Sequence, residues 1–171
     1  MIGSLITDSA NMSVSYLRRL MDGVTPEHFA RLPGRDETRF KSNHPAFIMG
    51  HLSLYPCRIV SDLAGDASSI QPSEKYQALF SPSATCLDDP EGTLYPAMDE
   101  IVQKCHAAHE LAIETLSGAS DDAFDRPNPN ERMRSRFATL GSMHAFYMGG
   151  HIMIHVGQFS TWRRVMGYGP A

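Results

Sequence analysis

The most constraining feature of the sequence is an uncharged stretch from Phe137 to Trp162, which contains no Asp, Glu, Lys or Arg. A helix over this stretch would be long enough to cross a lipid bilayer. The stretch also contains three histidines, a glutamine, two serines and two threonines, and such polar groups are costly in lipid. The stretch is therefore predicted to form a helix that is buried on several sides by other helices, within a bundle and across a dimer.

Three further segments carry apolar residues at helical spacing, and the uncharged stretch belongs to a fourth helix with Thr139 as its N-cap. The predicted helices span residues 2–22, 45–63, 94–116 and 139–167. The chain has 171 residues and no internal repeat or low-complexity tract. It is therefore predicted to be one all-α domain, residues 1–171, folded as a four-helix bundle.

Two interruptions are expected in this bundle. Pro56 lies inside the second helix and removes a backbone hydrogen bond to Leu52, which predicts a kink just after His51. Residues 64–93, between helices 2 and 3, form a long loop with a small helical patch at 74–80. A connection of this length usually crosses a bundle or covers a site.

Composition excludes several classes of function. The net charge is −4 and no cluster of Lys and Arg suits a nucleic acid, so no nucleic-acid partner is expected. Cys57, Cys86 and Cys105 are widely spaced, which argues against a disulfide framework and favours a reducing cytoplasm. The first residues lack the basic and apolar segments of a secretory signal. The expectation is a cytoplasmic protein with no membrane partner.

Three histidines of the fourth helix, His144, His151 and His155, are spaced by seven and four residues. At about 100° per residue they share one stripe with Tyr147 and Ile154, which is expected to face the core. Buried imidazoles need a partner for each nitrogen, and a metal ion is one such partner. Two histidines at i, i+4 can bind a single ion, although the glutamate of the HExxH metalloprotease motif is absent.

A third ligand has to come from another helix, and His51 is the best candidate because it lies on an apolar face with Phe47 and Leu54. Three imidazoles leave one or more positions open for water or substrate, as in catalytic zinc sites. Zinc and nickel are the favoured ions for such ligands, with iron and manganese as alternatives. The simpler alternative is that the i, i+4 pair consists of ordinary helix residues.

Two segments carry a family resemblance. HIMIHVGQFSTWRRVMGYGP resembles the last helix of the DinB/YfiT-like superfamily, in which His-x-x-x-His-x-Gly-Gln precedes an arginine and a Leu/Met-Gly-x-x-Pro tail. HPAFIMGHLSLY resembles the second helix of that family, where a histidine followed by leucine supplies the first metal ligand. The turn TPEHFARLPG and the stretch KYQALFSPSATCLDDPEGTLYPAMDEI extend the resemblance over essentially the whole chain.

The resemblance implies a four-helix bundle of up-down-down-up topology with a divalent metal on His51, His151 and His155. The family commonly has an acidic residue after the first histidine of the last helix, where this chain has Ile152. An acid–base role supplied from that position is therefore not carried over.

Other side chains are candidates near the metal. His144 is a fourth ligand, a base or a hydrogen-bonded core residue, and Tyr147 either orients a substrate or simply packs. Gln158 follows His155 by three residues and either hydrogen-bonds the second nitrogen of a ligand or makes a capping or interhelical bond. His109, on the third helix, is a weaker ligand candidate.

Two surfaces near the fourth helix are also of interest. Arg132, Arg134 and Arg136 precede the helix and either attract an anionic substrate or form a solvated loop. Opposite the histidines, a face of apolar and small residues is expected to pack closely on another helix, within the bundle or across a homodimer. This face consists of Phe146, Gly150, Met153, Gly157 and Ser160.

The resemblance also implies a function. DinB-like relatives include S-transferases and isomerases that use a low-molecular-weight thiol, so a metal-dependent transferase or hydrolase acting on a small electrophile is expected. A divalent ion on three histidines would bind the thiol and lower its pKa. The alternatives are a non-catalytic metal-binding stress-response protein and an interaction module whose histidines are core residues.

Overall fold

Helices dominate the computed structural model, which describes residues 1–35 and 38–171. The α-helices are α1 (Ile2–Arg19), α2 (Pro26–Phe29), α3 (Pro45–Leu52), α4 (Pro56–Asp62), α5 (Glu74–Phe80), α6 (Met98–Gly118), α7 (Asp121–Asp125), α8 (Leu140–Ala145) and α9 (His151–Val165). A π-helical turn, Phe146–Gly150, joins α8 to α9, and short 3₁₀ turns lie at Ser68–Ile70 and Glu131–Met133. The prediction of a mostly helical chain is confirmed.

A small antiparallel ribbon is the exception to the helical pattern. Strand β1 (Gly34–Arg35) pairs with β2 (Thr38–Arg39), with Gly34 opposite Arg39.

Among the described residues, no helix combines the length and apolar character that crossing a membrane requires.

The predicted second helix is divided into α3 and α4 just before Pro56. Proline has no backbone N–H to donate to the preceding turn, which explains a break at this position. The Nδ1 atom of His44 accepts the backbone N–H of Phe47 and so caps the start of α3. The chain then leaves the helix after Leu52 and resumes it at Pro56. This break leaves His51 in the last turn of α3 and Tyr55 at the N-cap of α4.

The third helix begins at Met98 rather than at the predicted residue 94. Pro96 explains the difference, because the residue before a proline disfavours the helical conformation. Within α6, Ile101, Cys105 and Ala112 are buried at the expected spacing.

The fourth helix departs from regular geometry at the π-helical turn. A π turn holds about one residue more than an α turn, so it rotates everything before it relative to everything after it. His144, before the turn, therefore does not share a direction with His151 and His155, after it. The prediction that Ile154 faces the core is also wrong, because its side chain is 54% exposed.

The connection between α4 and α6 carries α5, which packs against α3. A Cβ atom on Gly50 would lie only 2.5 Å from the ring of Phe80, so glycine is what allows α5 this close to α3. Phe80 is fully buried, and its backbone carbonyl thereby lies beside the last turn of α3. The long connection is therefore part of the core and reaches the candidate site.

At three positions of the expected small-residue face of the fourth helix, no other helix among the described residues covers the surface. Gly150 and Gly157 are exposed, and the side chain of Met153 is 42% exposed. A Cβ atom on Gly157 would meet no atom of residues 1–35 and 38–171 within 4 Å. Packing of this face within the bundle is thus wrong for these residues, and packing across a homodimer stays a prediction.

Candidate metal centre

His51, from the end of α3, meets His151 and His155, from the first two turns of α9. The Nε2 atom of His151 lies 3.3 Å from that of His51 and 3.3 Å from that of His155. One ring nitrogen from each of the three residues lies within 4.8 Å of the other two. The structure thus brings together the three histidines that the sequence indicated as ligands.

These separations fit a metal better than they fit hydrogen bonds. N–H hydrogen bonds are usually about 2.9–3.0 Å long. Two nitrogens each about 2.0–2.1 Å from a tetrahedral zinc ion lie roughly 3.3 Å apart. Two of the three nitrogen pairs, His51–His151 and His151–His155, therefore have the spacing found within a tetrahedral ligand set.

The opposite nitrogens of two rings are held by hydrogen bonds. His51 Nδ1 donates to the Phe80 carbonyl oxygen at 2.7 Å, and His155 Nδ1 donates to Gln158 Oε1 at 2.9 Å. Asn43 Nδ2 donates to the same Gln158 oxygen at 3.0 Å and orients it. With Nδ1 protonated, Nε2 of both rings carries the lone pair that binds metals. His151 Nδ1 is buried without a partner among the described residues.

Burial keeps the three imidazoles neutral. It lowers the pKa of His151 to about 3, with His155 and His51 adding to the effect. Burial also lowers the pKa of His155 to about 4, and it lowers the pKa of His51 although the Phe80 carbonyl acts in the opposite direction. Neutral imidazole is the form that binds a metal, so at neutral pH no proton has to be displaced.

Tyr55 is a site residue that the sequence analysis missed. Its hydroxyl group lies 3.2 Å from His51 Nε2, and its ring contacts the ring of His151 edge-on at 4.6 Å. Burial raises the pKa of Tyr55 to about 12, which keeps the phenol protonated and able to donate. Tyr55 follows His51 by four residues, the same spacing that marked the other two histidines, and this spacing was the available signal.

The other candidates take different positions. Tyr147 stacks on Tyr55 with ring centroids 4.7 Å apart and also contacts the ring of His151. Gln158 supplies the hydrogen bond to His155 already described. His144, with an exposed fraction of 0%, lies 3.3 Å from a carboxylate oxygen of Asp62 and is not among the three converging histidines.

His109 also lies outside the group of converging nitrogens. Its Nδ1 atom donates to the Cys105 carbonyl oxygen at 2.7 Å, within α6. Burial lowers the pKa of His109 to about 4, so it is a neutral core residue at neutral pH.

The arginines before the fourth helix do not line the cleft beside the histidines. Arg134 donates to the Asn128 carbonyl oxygen and pairs with Glu131, so it belongs to the structure of its own loop. The cation that does line this cleft is Arg58, from the first turn of α4.

Comparisons with known proteins add no family assignment. No protein-family model matches the sequence, and no curated protein shows significant similarity to it. Function therefore has to be argued from the geometry of the histidines and from the segments that carry the resemblance.

Proposed function

We propose that this chain is a metal-dependent enzyme of the DinB/YfiT-like type, which transfers a low-molecular-weight thiol to a small electrophile. His51, His151 and His155 hold the ion, and zinc or nickel suits three imidazoles best. The observation that carries the proposal is that His151 Nε2 lies 3.3 Å from Nε2 of His155, on the same helix, and 3.3 Å from Nε2 of His51, on a different helix. Such convergence has no evident structural purpose, because burying three imidazoles together is costly without an ion.

The proposed fold is a four-helix bundle of up-down-down-up topology. Its helices are α1, the α3–α4 pair, α6, and the continuous segment from α8 to α9. Packing of α6 against α1, α3 and α4 supports this arrangement. The long connection between α4 and α6 supports it as well, because two successive helices that run in the same direction need a crossover.

A divalent ion held by His51, His151 and His155 would act as a Lewis acid and would lower the pKa of a bound thiol. The thiol loses its proton to solvent, its sulfur forms a bond to an electrophilic carbon, and the leaving group departs with the electron pair. Phe80 and Gln158 hold two of the imidazole rings in place. The neutral phenol of Tyr55 is placed to donate a hydrogen bond to the substrate.

Metal analysis of protein purified without a histidine tag tests the first half of the proposal. We expect about one equivalent of zinc or nickel per chain and none in His151→Ala. His28→Ala is the matched control, because His28 is exposed and pairs with Tyr168, and it should bind the ion normally. A metal-free wild-type protein that takes up no added ion would leave only the interaction module.

Thiol consumption in the presence of small electrophiles tests the second half. We expect the wild-type holoprotein to consume thiol and His151→Ala to lose this activity. Protein that binds the ion but consumes no thiol would favour the alternative, a non-catalytic metal-binding stress-response protein. The proposal places the protein in the cytoplasm, where small thiols stay reduced.

The proposal extends to a homodimer that forms through the uncovered face of the fourth helix. The exposed apolar side chain of Met153 on this face, and that of its neighbour Ile154, support the homodimer.

A further inference from the structure

A cleft of about 530 Å³ lies beside the candidate metal centre. Tyr55 and Tyr147 form one of its walls, and both rings contact the ring of His151. The cleft is therefore separated from the converging histidines by a single layer of side chains. A substrate that reaches the ion past these two rings has this cleft as the adjoining space for its remaining atoms.

Of the described residues that line the cleft, only Arg58 is charged. The other polar lining groups are neutral and include Gln71, Gln77 and Ser81. Within the described part of the chain, the guanidinium group of Arg58 has no carboxylate partner. By contrast, Arg31 is paired with Asp88. The cleft thus presents one uncompensated positive charge in neutral polar surroundings.

The position of Arg58 relates this charge to the metal centre. Arg58 follows Tyr55 by three residues at the start of α4, so the two side chains share a face of the helix. The Tyr55 hydroxyl in turn lies 3.2 Å from His51 Nε2. Arg58 is therefore one helical turn away from the residue whose hydroxyl group contacts His51.

We propose that Arg58 binds the carboxylate of the thiol substrate, so that the protein prefers carboxylate-bearing, cysteine-derived thiols to neutral ones. The inference depends on the proposed function. A guanidinium group binds a carboxylate through two parallel hydrogen bonds. This pair would orient the thiol substrate and would also raise its affinity. The neutral amide and hydroxyl groups of the cleft suit the amide of a cysteine derivative.

Two thiols that differ only in this group provide the test. N-acetylcysteine carries the carboxylate, and N-acetylcysteinamide replaces it with an amide. Each is titrated into cobalt-loaded protein, in which thiolate binding is followed by the sulfur-to-cobalt charge-transfer absorption, without any electrophile. We expect wild-type protein to bind the acid about fivefold to tenfold more tightly than the amide.

The Arg58→Gln variant should lose this preference by binding the acid more weakly, with affinity for the amide and for cobalt unchanged. Arg58→Lys should keep part of the preference. Arg132→Gln is the matched control, because Arg132 is also exposed and does not line the cleft, and it should behave as wild type.

The outcomes separate the inference from the proposal on which it depends. Equal binding of acid and amide by wild-type protein, or an equal loss of both in Arg58→Gln, would overturn the role of Arg58 alone. Cobalt binding without a charge-transfer band for either thiol would overturn the thiol-dependent function, and the inference with it.

Discussion

At the scale of single residues, Gln158 offers a direct test of the metal centre. Its side-chain oxygen accepts the Nδ1–H of His155, and Asn43 holds that oxygen in place. Replacement by alanine removes the acceptor without touching a ligand, and such changes typically lower metal affinity about 10-fold to 100-fold. Competition with a chelator of known affinity measures the effect in Gln158→Ala.

Two further variants make this prediction specific. Gln158→Glu keeps an acceptor oxygen and should restore most of the affinity, which a purely structural role would not require. Gln103→Ala, an exposed glutamine of α6, should leave metal affinity unchanged. Wild-type affinity in Gln158→Ala would contradict the assignment of this side chain to the centre.

The sequence predicted these residues unequally, for physical reasons. His151, His155 and Gln158 lie within one regular helix, so spacing alone places them correctly. His51 required a choice among helices, and its apolar surroundings supported that choice. Tyr55 was missed because a helix break next to Pro56 makes helical spacing an unreliable guide there. In the structure the chain between His51 and Tyr55 still places both side chains at the same site.

At the scale of elements, the π-helical turn explains why His144 was grouped with the wrong residues. An argument from periodicity assumes a constant rotation angle per residue along the helix. The residue types in Phe146–Gly150 do not indicate the wider π-helical turn that changes this angle. The long connection before α6 was correctly expected to approach a site, and its short helix at 74–80 was predicted at its true bounds. That α5 would supply a carbonyl to His51 depends on tertiary packing around Gly50.

The cap of α3 predicts how stability depends on pH. His44 is fully buried, its Nδ1 accepts the N–H of Phe47, and its Nε2–H donates to the Leu87 carbonyl. Burial lowers the pKa of His44 to about 4, although Asp88 and Asp89 act in the opposite direction. Between pH 6.5 and 4 the unfolded chain therefore binds a proton that the folded chain does not, so the free energy of unfolding falls as pH falls.

Urea unfolding between pH 7 and pH 4, with a chelator present, measures this loss. His44 alone should contribute on the order of 2–3 kcal/mol by pH 4. His44→Asn keeps a capping side chain and removes the titrating group, so its stability should fall less steeply over the same range. Identical pH profiles for the two proteins would show that His44 is not protonated on unfolding.

At the scale of the whole molecule, the uncovered face of α9 has to be explained. Glycine inside a helix costs about 1 kcal/mol relative to alanine, yet no atom in the described part of the chain lies within 4 Å of the position of a Cβ atom on Gly157. On α1, Leu5 and Met12 share the face of Ser9, which lies against Gly149. Both side chains are exposed, so apolar groups from α1 and α9 lie on neighbouring surfaces.

A second copy of the chain packed on this surface would bury these groups and make use of the small residues. Because a two-fold interface contains each residue twice, one new charge at Met153 is introduced twice. We therefore expect a dimer for wild-type protein in analytical ultracentrifugation and a monomer of unchanged helicity for Met153→Glu. Leu94→Glu is the control, because the Leu94 side chain is 45% exposed and that of Met153 is 42% exposed. This variant should remain dimeric. Wild-type protein that sediments as a monomer would leave Gly157 without this explanation, since a close helix contact is what makes glycine useful there.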